Sequence, residues 1–391
     1  MSDISIFLRP VNSSIVDYDF GAKGDVFGKV LDTYREEGKL PSLEDKSVAI
    51  IGVPEERGAV LNKGTGEAAD FIRNKLYRLS CLDHKYKVAD IGNIMPGHSL
   101  KDTYTALSEV CGELIDRQVI PVIIGGSQDL SFAQYLSYKN SGNIVNIVSV
   151  DSSFDLGEAS ENICSRNFVG KIILHQPNYL FNFSNIGYQT YFVGQGSIAL
   201  MEKLYFDAYR LGQVRQDIAE VEPIVRSADM ITFDISAVRA SDAPGNNNAS
   251  PNGFYGEEAC QIARYAGISD KVSSFGIYET NPSLDQNGRT AHLAAQMIWY
   301  FIDGVYSRRK DSPVGSKKGF VKYRVFIKDT GHEIIFYKSK KTERWWMEVP
   351  YPDSKVKMQR NHIIPCSYND YMLACKEEMP ERWWQAFQKL S

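Results

Sequence analysis

The 391-residue sequence has no run of about 18 or more apolar residues, so hydropathy supplies no membrane-spanning helix. Its N-terminus, MSDISIFLRPVNSS, has neither a basic stretch nor an apolar core, and no secretory leader is read there. There is no C-x-x-C pair. The six cysteines (Cys81, Cys111, Cys164, Cys260, Cys366 and Cys375) are scattered. They read as reduced thiols of a cytoplasmic protein, mostly small core residues. Gly64-Thr65-Gly66 lacks the third glycine of a dinucleotide fingerprint, and neither a P-loop nor zinc-finger spacing occurs. Repeats and low-complexity tracts are missing too. With 43% hydrophobic and 24% charged residues, the composition excludes wholesale disorder.

What is present begins with an uneven charge. The formal net charge is −4. Between Val305 and Asn361, fifteen Lys and Arg stand against six Asp and Glu, a local +9 that leaves −13 on the rest. An acidic body therefore carries a basic appendage. That asymmetry predicts contact with an acidic protein partner or a polyanion, against the alternative of a solvated hairpin with ordinary lysines.

Short β-branched runs recur at 47–53, 120–124, 144–150, 190–193, 230–234 and 272–277. Runs of this length suit strands buried on both faces. Helical patterns lie between them at 26–37, 67–79, 103–116, 130–138, 214–227, 256–266 and 289–303. The alternation predicts an α/β fold, a mainly parallel sheet between two helical layers. After Asp303 the texture changes. A basic linker with Pro313 spans 308–318. Antiparallel strands are expected at 319–328, 333–340 and 344–349, with turns at 329–331 and 341–342. Two short helices follow near 368–378 and 381–390. The expected division is a body of residues 1–304 and a C-terminal extension of residues 305–391.

In open parallel sheets, ligands bind beyond the carboxyl ends of the strands. Those ends carry Gly125-Gly126-Ser127-Gln128-Asp129, Asp151-Ser152-Ser153-Phe154-Asp155, Asp234-Ile235-Ser236 and Glu279-Thr280-Asn281-Pro282. Convergence of Asp151, Asp155 and Asp234 in one crevice requires a cation or raised pKa values to offset their repulsion. Taken singly, each Asp reads as a helix or turn cap.

From about Lys46 to Asp303 the sequence resembles the ureohydrolases (arginase, agmatinase and, most closely, formimidoylglutamase). The resemblance is carried by Gly52–Gly58 with Gly64 and the helix after it, by the glycine loop ending in Asp129, and by Asp151–Asp155. It continues through Asp234–Ser236 with Ser241–Gly245, and through Glu279–Pro282 with Asp285 and Thr290. It implies a three-layer α-β-α arginase-like fold, a homo-oligomer, and two manganese ions held by two histidines and four aspartates. Here Gln128 stands in place of the first histidine, Ser153 in place of the second, and Ser236 in place of an aspartate. The equivalents of one metal site are Gln128, Asp151, Asp155 and Asp234, all oxygen donors suited to Mg2+, Mn2+ or Ca2+. The other site has lost its own ligands. The expectation is at most one divalent cation, or none, in place of a dinuclear manganese centre.

By the same resemblance Glu279 and Asn281 face a cationic substrate group. Arg57 is read as pairing with a substrate carboxylate or with Glu55 or Glu56. Losing one metal removes much of the activation of a shared water, so the sequence ranks a catalytically degenerate scaffold or binding protein first. A metal-dependent hydrolase of a C–N bond in a formiminoglutamate-like or guanidino substrate is the alternative, and a ligand sensor without turnover is the third reading. His175 is expected in a core or surface role rather than in the crevice. In each of the pairs Trp345–Trp346 and Trp383–Trp384, one ring is expected to face the core.

Overall fold

The computed structural model describes residues 3–16, 25–81, 86–139, 144–158, 162–328, 331–351 and 361–390. His84 and residues 329–330 of the turn expected at 329–331 lie outside the described residues. Ten strands form the main sheet: β1 (Leu8–Arg9), β2 (Asp32–Thr33), β3 (Val48–Gly52), β4 (Val88–Ile94), β5 (Ile120–Ile124), β6 (Val145–Val150), β7 (Leu180–Tyr188), β8 (Asp207–Arg210), β9 (Met230–Asp234) and β10 (Ser274–Tyr278). Their order is β1-β4-β3-β5-β10-β9-β6-β7-β8, with β2 added beside β4. Only the β1–β4 pair is antiparallel.

Side chains alternate between the two faces of a strand, so each buried run feeds two cores. In β3, Ile50 packs with Ile72, Phe233, Phe275 and Ile298 under the helices Ala68–Leu76, Gly256–Ile268 and Arg289–Tyr306. Its neighbour Ile51 packs on the opposite face with Leu107, Val110 and Leu114 of the helix Leu100–Asp116. Each fully buried Ile or Phe contributes about 1.5–3 kcal/mol. Ser99 starts the Leu100–Asp116 helix with a capping box closed by Asp102. The α/β layering read from the sequence is the architecture observed.

Four expectations need correction. Residues 190–193 form a turn, whose bonds tie Phe192 N–H to Gln189 O and the Tyr191 hydroxyl to Gln189 Oε1. The helix expected at 26–37 is helical only over Phe27–Val30 before Asp32–Thr33 joins the sheet. The one at 214–227 is two helices, Leu211–Gln216 and Val221–Arg226, broken where Asp217 turns extended (φ −150°). Strands β4, β7 and β8 were not among those expected.

A second, four-stranded antiparallel sheet follows: β11 (Phe320–Ile327), β12 (His332–Ser339), β13 (Trp345–Pro350) and β14 (Asn361–Cys366), in that order. The helices Tyr368–Cys375 and Glu381–Leu390 close the chain. β14 is a further strand beyond those expected. Trp345, Trp346 and Trp383 are buried and Trp384 is 43% exposed, so only the second pair divides between core and surface. Many cations of the appendage already have partners. Lys317, Arg324, Lys328 and Lys338 pair with Glu348, Glu333, Glu377 and Glu343, Arg344 pairs with Glu222, and Arg308 donates to Gly267 O and Val272 O. Lys355, Lys357 and Arg360 lie outside the described residues.

Candidate functional site

Parallel pairing of β6, β9 and β10 brings three loop starts to one edge of the sheet. β6 ends at Val150, and Asp151 follows it directly. Asp234 closes β9, and Glu279 follows β10. Asp155 completes the set by taking a left-handed backbone (φ +46°) that folds the loop back on itself. Oxygen atoms of Asp151, Asp155 and Asp234 lie within 4.8 Å of one another. The sequence-level convergence of these three is thus observed as a distance.

Local bonds hold each carboxylate in place. Ser153 N–H donates to Asp151 Oδ1 at 2.9 Å, and Ser153 Oγ donates to Asp155 Oδ1 at 2.7 Å. Ser236 N–H donates to Asp234 Oδ1 at 2.6 Å. From the neighbouring strand, Asn185 Nδ2 donates to Ser153 O at 2.7 Å. Burial is the largest influence on all three acids and disfavours their charge. Asp151 is pushed well above the usual carboxylate range by desolvation and then by Asp155 and Asp234. Asp155 is also raised by desolvation, with its bonds to Asp151 and Ser153 and the Arg166 charge opposing. Desolvation lifts Asp234 to about 7 against the Ser236 bond.

The triad stands at a cleft of about 570 Å3, which Asp155, Arg166, Asp234, Asn247, Asn248 and Glu279 help to line. Glu279 is 1% exposed and adopts φ +66°. Its Oε1 accepts Gln128 N–H at 2.8 Å and its Oε2 accepts Asn62 Nδ2 at 2.6 Å. Desolvation, then the Asp234 charge, raises its pKa well above the ordinary value. The Gly126 loop must come close for this: a Cβ there would lie 1.8 Å from Glu55 O.

Three sequence-level assignments fare differently. Arg57 pairs with Glu55 rather than facing the cleft. Its Nε donates to Glu55 Oε1 at 2.9 Å, and its remaining N–H groups reach Gly97 O, His98 O and Thr103 Oγ1. Intramolecular acceptors engage all three guanidinium nitrogens, and Arg57 is not a lining residue of the cleft. Asn281 lies behind Glu279, donating to Asn62 Oδ1 and Lys63 O and capping Ser283 N–H. His175 sits among the rings of Phe132, Tyr135 and Tyr179.

Sequence reasoning missed Asn62, Arg166 and Asn246. Asn62 and Asn246 both donate to Glu279 O, at 2.9 and 2.8 Å. Arg166 Nη2 reaches Asn248 Oδ1 at 3.1 Å on the cleft wall. The available signal was the run Asn246-Asn247-Asn248 directly after Ala243-Pro244-Gly245.

The donor set is of the kind that suits a hard cation. Three carboxylates come within 4.8 Å of one another, and the bonds from Ser153 and Ser236 with the Arg166 charge offset their desolvation only in part, since all three pKa values stay raised. The Gln128 side chain has a buried Oε1 that accepts no hydrogen bond among the described residues, while its Nε2 donates to Thr232 Oγ1 at 3.0 Å. The Ser153 and Ser236 hydroxyls are neutral, and Ser153 Oγ spends its proton on Asp155.

Known proteins resemble this chain over the same region. A sequence profile of the arginase family matches residues 46–303. Formimidoylglutamase of Staphylococcus haemolyticus is 28% identical over 283 residues, which is 67% of this chain and 88% of that protein. The crystal structure of Trypanosoma cruzi formiminoglutamase with Mn2+ superposes with a TM-score of 0.64 at 22% identity, over 68% of this chain and 96% of that one. Bacillus subtilis formimidoylglutamase gives 0.61 at 21% identity, over 70% and 90%. At these identities the structural likeness concerns the fold.

Proposed function

The chain belongs to the arginase family, and on that premise we propose that it is a metal-dependent hydrolase of a C–N bond in a formiminoglutamate-like or guanidino substrate. The observation that carries the reading is the approach of Asp151, Asp155 and Asp234 to within 4.8 Å beside a cleft that Glu279 also lines. These aspartates would hold one hard divalent cation, with Gln128 Oε1 as the remaining uncommitted acceptor of the set. When bound, such a cation lowers the pKa of the water it holds and polarises the substrate. Glu279 would receive the amidinium end of the substrate, its orientation set by Asn62 and Gln128. Asn247 and Asn248 offer amide groups along the cleft wall.

Sequence alone ranks binding without turnover ahead of hydrolysis. The carboxylates brought together in space, and relatives that carry the name formimidoylglutamase, favour hydrolysis. A specific observation keeps the second reading in play: Ser153 and Ser236 occupy positions where the family resemblance implies a histidine and an aspartate. One preparation tests both. Metal analysis is expected to give one cation per chain, and incubation with formiminoglutamate, arginine and other guanidino compounds to release formamide or urea, with release abolished in Asp151→Asn. A cation-loaded protein that gains thermal stability from these compounds but releases nothing would establish the binding reading instead. Two cations per chain would overturn the single-site arrangement in either case.

A further inference from the structure

A second cleft, of about 450 Å3, lies beyond the carboxyl ends of β7 and β8, the same edge of the sheet that bears the acidic cleft. Tyr188 ends β7 and Arg210 ends β8, and both line it together with Gln189, Tyr191, Arg215 and Asn252. The turn at 190–193 is the wall between the two clefts. Phe192 faces the acidic one and Tyr191 this one, with the rings edge to face at 4.7 Å.

The chemistry of this second cleft is the opposite of the first. None of its lining residues is acidic. Arg210 is exposed and makes no ion pair or side-chain hydrogen bond among the described residues. Arg215 is anchored from behind, its guanidinium over the Tyr255 ring at 4.0 Å and its Nε 3.3 Å from Glu258. The Tyr191 ring is 62% exposed, yet its hydroxyl is held by Gln189 Oε1 and by Asn252 Nδ2 at 3.4 Å. A large ring fixed at its polar end with an open face is a preformed stacking platform. Two guanidinium groups match a phosphate dianion in charge and donor geometry. A volume of about 450 Å3 suits a small organic ligand. In a body that is strongly acidic outside its C-terminal stretch, a cleft lined by two arginines without a carboxylate is a local reversal of the field.

We propose that this cleft binds a small phosphorylated ligand with a planar ring, of the nucleoside monophosphate class. The phosphate lies between Arg210 and Arg215, and the ring stacks on Tyr191. The proposal is independent of the hydrolase reading, because it uses none of the acidic-cleft residues.

Titration calorimetry of the full chain with adenosine monophosphate tests it. Saturable 1:1 binding that weakens with added salt is expected. Arg210→Gln and Gly212→Glu should each lower the affinity by about tenfold or more. Both variants are expected to fold. Arg210 is exposed, and a Cβ at Gly212 meets nothing within 4 Å, so the new carboxylate enters the cleft mouth without displacing the core. Unchanged melting temperatures and circular dichroism would verify that. Tyr191→Ala should weaken adenosine monophosphate binding while leaving that of inorganic phosphate unaltered. No saturable binding below about 10 mM would overturn the proposal, as would affinity indifferent to both charge-changing variants. Inorganic phosphate binding as tightly as the nucleotide would overturn the role given to the ring.

Discussion

The acidic crevice and the seam between the two sheets are both buried and charged, yet they are built on opposite rules. In the seam, opposite charges meet. Arg226 is 6% exposed, lies 4.3 Å from the Trp346 ring centroid, and donates to Trp345 O, Cys366 O and Glu222. Arg344 shares Glu222, Arg382 joins Asp370 and Glu220, and Lys389 reaches Asp207 and Asn182. In the crevice, like charges meet, with Arg166 as the cation acting on them. Paired buried charges fix how two pieces of chain sit together. Unpaired like charges cost stability, so their retention points to a ligand that supplies the missing charge.

The largest expected effect comes from breaking the seam. Arg226→Ala leaves Glu222 to Arg344 alone and strands two carbonyls, and urea unfolding should register a loss of about 2–4 kcal/mol. The crevice should respond with the opposite sign. Asp151→Asn removes one of three mutually repelling carboxylates, so the metal-free protein should become more stable near neutral pH and lose its stabilisation by Mg2+ or Mn2+.

The pH dependence separates the two regions further. Asp234 is lifted to about 7 from an ordinary value of 3.8, so the fold holds its proton more tightly than the unfolded chain does. The stability linked to that proton is complete below the ordinary value and is lost as pH rises through about 7. Without added cation, the melting temperature should therefore fall between pH 4 and pH 7, and saturating Mn2+ should flatten that slope. A melting curve equally steep with and without cation would remove the crevice from the explanation. The smallest effect is expected at Arg324, whose pair with Glu333 is long (3.6 Å) and exposed. Arg324→Ala should change stability by less than about 0.5 kcal/mol.

How much was legible follows from where polar groups find partners. β3 and β5 are continuous apolar runs, and β6, β9 and β10 are predominantly apolar and β-branched or aromatic, so all five could be read directly. β4 is equally buried but contains Asp90, Gly92 and Asn93, which look like loop residues. They are tolerated because Arg73, delivered from the helix Ala68–Leu76, donates to Asp90 at 2.8 Å through both Nε and Nη2, and Tyr77 adds a third bond. β7 hides for the same reason. Its Asn182 and Ser184 bond to Asp207, and its Asn185 Nδ2 bonds to Ser153 O. Asp151, Asp155, Asp234 and Glu279 were legible because strand ends in a parallel sheet share one edge. Asn62 and Arg166 were not, since nothing near them in sequence reveals which strand end they will face.

The sequence by itself determined the layered α/β architecture and the edge of the sheet that carries the acidic loops. Periodicity and chain order encode these, and both are local. Only the tertiary structure decided that Arg57 belongs to Glu55, that Asn281 stands behind Glu279, and that three aspartates come within 4.8 Å of one another while burial raises their pKa values. Charge state and pairing depend on distance and on access to water, and residues 151 and 234 acquire a common dielectric only once the sheet has formed.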